Sequence, residues 1–167
     1  DAECAAMMAN GLGRKTSAAF TRVVSPFDEA FNPALAVALE SNSTLRVLSV
    51  VDGHFNASTI LLALGKNTGL KCLSIEKCKS MDESLCTAMK YGLRTNETLR
   101  ELELHKISLR DDSLALWCKC FSFLRNKALK GLSVIVDQGV TESCASAFRM
   151  HIAAMLQENV SLENLSI

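Results

Sequence analysis

Apolar and polar positions follow one pattern along most of this chain. An asparagine is followed, three, six and eight residues later, by leucine, leucine and a third aliphatic residue. The copies are Asn42-Leu45-Leu48-Val50, Asn67-Leu70-Leu73-Ile75, Asn96-Leu99-Leu102-Leu104, Asn126-Leu129-Leu132-Val134 and Asn159-Leu162-Leu165-Ile167. Their first leucines, at 45, 70, 99, 129 and 162, lie 25, 29, 30 and 33 residues apart. The end of each copy alternates apolar and polar, as a strand with one buried face does. A stretch with apolar groups at helical spacing precedes each strand. These stretches cover 34–39 after Pro33, 59–64 after Asn56 and Ser58, 84–89 after Asp82, 114–117 after Asp112 and Ser113, and 147–156 after Thr141 and Glu142. Proline is tolerated in a first turn, and Asn, Ser and Asp cap helices.

One such unit cannot bury its own apolar face, whereas stacked units share a continuous core. The expected fold is therefore α/β, a right-handed, curved solenoid with parallel strands on its concave wall and helices on its convex wall. The repeated Asn marks the point where each helix stops and turns into its strand. Asn tolerates the left-handed backbone that ends many helices, and its side chain can bond nearby main-chain groups. Residues 1–33 read as an N-terminal cap. In it, Cys4–Asn10 is a helix end, Gly11–Lys15 a loop and Phe20–Val24 a degenerate first strand. Residues 34–167 carry the five repeats within one domain, with Asp137-Gln138-Gly139 as a rim loop. The sequence stops inside a strand pattern, at Ile167. An uncovered terminal strand is an aggregation liability, so a longer parent protein is the favoured expectation, and a neighbour on that edge the other.

The joins Ala38-Leu39-Glu40-Ser41-Asn42-Ser43-Thr44-Leu45 and Met155-Leu156-Gln157-Glu158-Asn159-Val160-Ser161-Leu162 resemble the ribonuclease-inhibitor-like class of leucine-rich repeats. The spacings sit around the upper end of the roughly 20–29 residues of such repeats. The resemblance covers about residues 33–167. Within that class the chain is similar to the C-terminal domain of the tropomodulins, in size, in its few uneven repeats and in the segment from Met150 to Leu162. That resemblance implies a protein-binding domain and, more narrowly, capping of actin filaments at the pointed end. It carries no set of actin-contacting residues onto this sequence. The position eight after the first leucine, usually Asn or Cys in the class, is Gly53, Cys78, Ile107 and Asp137. Only Cys78 fits, so an uninterrupted Asn ladder at that position is not expected, and the loops after the strands should be uneven.

Composition narrows the function. The 167 residues are 49% apolar, enough for a packed core. Lys plus Arg and Asp plus Glu number 18 each, and aromatics are 5%. Neither figure suits a general nucleic-acid binder. No apolar run approaches a membrane span, and no signal-peptide pattern opens the sequence. The seven cysteines, odd in number and mostly inside apolar helix or strand patterns, read as reduced, buried thiols of a cytoplasmic protein, and Cys118-Lys119-Cys120 lacks zinc-knuckle spacing. Five Asn-x-Ser/Thr triplets, at Asn42, Asn56, Asn96, Asn159 and Asn164, read as by-products of the repeat.

The expected partner is another protein, bound on the concave face, with actin as the narrower alternative. The residue after the first leucine is Arg46, Lys71, Arg100, Lys130 and Glu163, a mostly basic column. The residue after the second is Ser49, Ser74, Glu103, Ser133 and Ser166. Stacking brings equivalent residues to about 5 Å. Glu76 and His105 fall on adjacent strands, and Glu101 and Glu103 form an acidic patch. The bland alternative makes all of these merely solvated strand residues, and Glu76 with His105 a weak surface ion pair. Charge reversal at Arg46, Lys71 and Arg100 is expected to weaken partner binding without unfolding. No nucleophile elbow, phosphate-binding glycine loop or His-Glu-x-x-His helix occurs, so no enzyme and no cofactor are expected. His54, His105 and His151 lie in different units, and His151 should pack against a neighbour. A hydrolase or metal cluster of Cys72, Glu101, Glu103 and His105 is the weaker reading, because their spacing is ordinary for strands.

Overall fold

The computed structural model describes residues 20–24, 31–51, 57–77, 83–107, 126–136 and 141–167. Six parallel strands form one sheet in sequence order: β1 Phe20–Val24, β2 Val47–Val51, β3 Cys72–Glu76, β4 Glu101–Ile107, β5 Gly131–Val136 and β6 Asn164–Ser166. The described helices are α1 Phe31–Ser41, α2 Ala57–Leu64, α3 Glu83–Ala88 and α4 Glu142–Glu158. The chain thus has the expected α/β build with parallel strands. β1 occupies the segment read as a degenerate strand and pairs with β2, Phe20 opposite Val47. The expected elements at 4–15, 114–117 and 137–139 lie outside the described residues.

Register explains the core. Leu48, Leu73, Leu102 and Leu132 stand opposite one another across four strands, as do Val50, Ile75, Leu104 and Val134. All eight are buried. They join Leu35, Leu39, Ile60, Leu61 and Leu64 of the helices in one apolar cluster. Truncating any of these leucines to alanine would cost about 2–5 kcal/mol.

The units are also joined by polar bonds, at the repeated Asn. Its Oδ1 accepts the amides two and three residues on: Thr44 and Leu45 for Asn42, Gly69 and Leu70 for Asn67, Thr98 and Leu99 for Asn96, Ala128 and Leu129 for Asn126. Its Nδ2 reaches back to the preceding unit. Asn67 donates to the Leu39 and Asn42 carbonyls at 2.6 and 2.8 Å. Asn96 donates to Leu64 and Asn67 at 2.7 and 3.1 Å, and Asn126 to Leu93 and Asn96. Asn42, Asn67, Asn96 and Asn126 are buried. A ladder of Asn side chains therefore does exist, three residues before the first leucine rather than eight after it. Left-handed backbone is not its basis. Among the described residues only Lys77 and Lys106, apart from glycines, have positive φ, at 62° and 52°. Asn42 and Asn96, being buried in this ladder, are not available as glycosylation acceptors.

Two local features depart from a plain repeat. The helix begun by α3 continues as a π turn over Met89–Leu93. Gly92 lies so close to α2 that a Cβ there would stand 1.7 Å from the Leu61 carbonyl oxygen. β4 carries a bulge, since the register skips from His105–Ile135 to Ile107–Val136 and leaves Lys106 unpaired. Cys86 is disulfide-bonded, which corrects the expectation of reduced thiols at that residue, whereas Cys72 is free. Residue spacing carries no record of which thiols the chain brings together.

Three substitutions test this account. Asn67→Ala should lower unfolding free energy in urea by about 2–4 kcal/mol, because buried carbonyls and amides lose their partner. Asn67→Asp should cost at least as much, because a carboxylate oxygen would then face the Leu39 and Asn42 carbonyls. A loss under about 0.5 kcal/mol in both, the size of a neutral surface change, would refute the ladder. Gly92→Ala should cost about 3 kcal/mol by overpacking against α2.

Candidate functional site

The strand positions between the buried ones form the other face of the sheet, which no described helix covers. Three rows cross it. Ser49, Ser74, Glu103, Ser133 and Ser166 are in register over five strands. Val47, Cys72, Glu101, Gly131 and Asn164 form a second row, and Val51, Glu76, His105 and Ile135 a third. Ser49, Ser74, Glu103, Ser133, Glu76 and His105 are partly exposed, and Glu101 is exposed. Gly131 has no side chain between Glu101 and Asn164. A trough of about 460 Å³ opens there, lined by Glu101, Glu103, Gly131, Ser133, Asn164 and Ser166.

The basic residues stand just before the strands, at the rim where each unit turns from helix to strand. Main-chain bonds tie them into a column. Each of the Arg46, Lys71, Arg100 and Lys130 carbonyls accepts two amides of the following unit, at 2.7–3.0 Å. Their side chains are largely engaged within the array. Arg46 Nη1 donates to the Ser43 and Gly69 carbonyls at 2.9 and 2.7 Å, and Arg100 Nη1 to Ala128 at 2.8 Å. Gly69 and Ala128 each precede the first leucine of the next unit, so both arginines make the same bond. Lys130 pairs with Glu163 at 2.5 Å. Only Lys71 has no side-chain partner among the described residues.

Glu76 and His105 are neighbours in register, but the ion pair of Glu76 is with Lys106, at 2.6 Å. The bulge turns Lys106 toward Glu76, a partner that strand alternation does not predict. That hydrogen bond holds the Glu76 carboxyl below its usual range. His151 is exposed on α4 rather than packed.

Cys72, Glu101 and Glu103 bring one thiol and two carboxylates within 4.8 Å of one another. His105 is not among the residues so grouped. Partial burial, then the nearby Glu103 and Glu101 charges, push the thiol pKa up to about 11. At neutral pH the sulfur is therefore protonated, the opposite of an activated nucleophile. A cation there would have to displace that proton. No described helix is long and apolar enough to cross a membrane.

Comparison with known proteins bears on the fold. No family model matches this sequence, and no curated protein matches it. Among solved structures, the tropomodulin C-terminal domain of Caenorhabditis elegans aligns with a TM-score of 0.55 at 13% identity, covering 94% of each chain. Actin-binding site 2 of leiomodin-1 aligns over 98% of this chain and 77% of that one, at 15% identity and a TM-score of 0.49. The chain therefore has the leucine-rich-repeat-like fold of the tropomodulin C-terminal domain.

Three outcomes are expected. A thiol held protonated by burial and by neighbouring carboxylates should react faster once the carboxylates are neutralised. Alkylation of Cys72 at pH 8, followed by peptide mass spectrometry, should therefore speed up in the Glu101→Gln/Glu103→Gln variant, and an unchanged rate would contradict the electrostatic cause. The raised thiol pKa also means that the folded state holds its proton longer than the unfolded chain. This contribution is complete below the ordinary thiol pKa and is lost as pH rises through about 11. Separately, Arg46→Glu/Arg100→Glu should lower stability by about 1–3 kcal/mol through lost bonds to main-chain carbonyls, so charge reversal at the rim is not neutral to folding.

Proposed function

We propose that this chain is a non-enzymatic module that binds another protein along the exposed face of its sheet, the concave wall of a right-handed solenoid. The observation that carries the reading is the row Ser49, Ser74, Glu103, Ser133 and Ser166, in register over five strands on a face that no described helix covers. Glu101, Glu76 and His105 flank the row. Arg46, Lys71, Arg100 and Lys130 border it on the rim, with Lys71 as the cation left for a partner. Small hydroxyl side chains suit close approach of a partner surface, while the carboxylates select for positive charge on it. The division into an N-terminal cap at 1–33 and repeats over 34–167 belongs to the same reading. So does a cytoplasmic location, against which the Cys86 disulfide is the one contrary observation.

Actin is the partner to test first, because the likeness to the tropomodulin domain spans 94% of both chains and the segment from Met150 to Leu162 resembles that family. In this second reading the module sits at filament pointed ends.

A photo-crosslinking amino acid at Ser74 or Ser133 should capture a partner polypeptide, and the same group at Val37 or Leu62, exposed on the helices, should not. Capture from the helices alone would move the binding surface there. Co-sedimentation with filamentous actin, or slowed pointed-end growth at micromolar protein, would promote the actin reading, and neither effect would sink it.

A further inference from the structure

The turns leading into β4 and β5 enclose a second groove, on the rim rather than the sheet face. It measures about 500 Å³ and is lined by Arg94, Asn96, Glu97, Arg100, Lys127 and Ala128. Among the described lining residues, three cations and one carboxylate thus share a cavity on a chain of zero net charge. Two other lysines at such turns are neutralised. Lys66 pairs with Glu40 at 2.9 Å, and Lys130 with Glu163 at 2.5 Å. Among the described residues, Arg94 and Lys127 have no ion pair, and both are exposed. Arg100 is fixed at the cavity wall by its bond to the Ala128 carbonyl. Its planar guanidinium is therefore held in place before any ligand arrives, which spares ordering entropy on binding.

We propose that this groove docks an acidic segment of a partner polypeptide, whose Asp or Glu carboxylates pair with Arg94, Arg100 and Lys127. Charge complementarity selects the ligand class. Nucleic acid fits the groove poorly, for two reasons. Among the described lining residues no aromatic side chain offers a platform for stacking bases, and Glu97 interrupts the track of cations that a phosphate backbone follows. Its volume of about 500 Å³ leaves room for a few side chains of a partner. The inference does not rest on the sheet-face reading, because the groove lies at the turns and uses none of the serine row.

The test is fluorescence anisotropy of a labelled octaglutamate peptide titrated with the whole chain, at about 0.05 M and about 0.3 M salt, where screening differs strongly. Wild type should bind, and more weakly at the higher salt. Arg94→Glu/Lys127→Glu should weaken binding at least about tenfold, the scale of 1.4 kcal/mol. Lys66→Glu/Lys130→Glu makes the same change in net charge at the neutralised joints and should stay within about twofold of wild type. Circular dichroism establishes that both variants fold. Three results would overturn the proposal: no binding to wild type at about 1 mM, a loss of affinity equal in the two variants, or tighter binding of an oligothymidylate of the same length. None of these results bears on crosslinking from Ser74, so this proposal and the sheet-face reading can fail separately.

Discussion

The bond that the rest of this structure depends on is the one each repeated Asn makes across a unit boundary. Stacked parallel strands satisfy one another through the main chain, but the turns between helix and strand leave carbonyls and amides pointing into the protein. Burying such groups unpaired costs about 1–3 kcal/mol each. One Asn amide answers four of them, two amides ahead in its own turn and two carbonyls behind in the previous unit. Asn67, Asn96 and Asn126 each do this, so the Asn42 carbonyl is bound by Asn67, that of Asn67 by Asn96 and that of Asn96 by Asn126. At the last joint the Ser161 hydroxyl takes the Asn126 carbonyl at 2.8 Å. The aliphatic core makes the units adhere, and the ladder sets their register.

That division of labour leaves the outer row of the sheet free of structural duty. The inward positions are aliphatic throughout, while the outward ones mix serine, glutamate, histidine and glycine with Val47, Val51, Cys72, Ile135 and Asn164. A sheet face that need not pack against its own helices can vary to suit a partner. The rim is less free. There Arg46 and Arg100 repeat the same carbonyl bond one strand apart from Lys71, and so act partly as further clamps between units.

The leucine spacing made the strands, their order and the buried face legible, because strand alternation follows directly from residue type. Even the irregular Phe20–Val24 strand was legible as a degenerate first strand. The role of the asparagines was only half legible. Sequence suggested a helix stop and local bonding, but the carbonyls reached by Asn67 Nδ2 belong to residues 39 and 42, and only folding brings them near. The same limit hid the arginine clamps, whose acceptor is a main-chain atom that every residue possesses. Lys106 escaped for another reason, since a bulge breaks the alternation used to pair Glu76 with His105. The π turn at Met89–Leu93 is a matter of packing, with Gly92 pressed against Leu61. Of the candidate site, the serine row could be read from the repeat, whereas the groove at Arg94 and Lys127 comes from turns whose shape no spacing records.

If a side-chain ladder joins the units, damage to one rung must be felt in its neighbours. The most direct measurement is residue-resolved amide hydrogen exchange of the Asn96→Ala variant beside wild type. Protection should fall at Thr98 and Leu99, whose amides Asn96 Oδ1 accepts, and also across the joint in β3 and at the end of α2, whose Leu64 carbonyl loses its donor. Loss confined to Thr98 and Leu99, with β3 and α2 unchanged, would show that each Asn serves only its own turn and that the units are held by the aliphatic core alone.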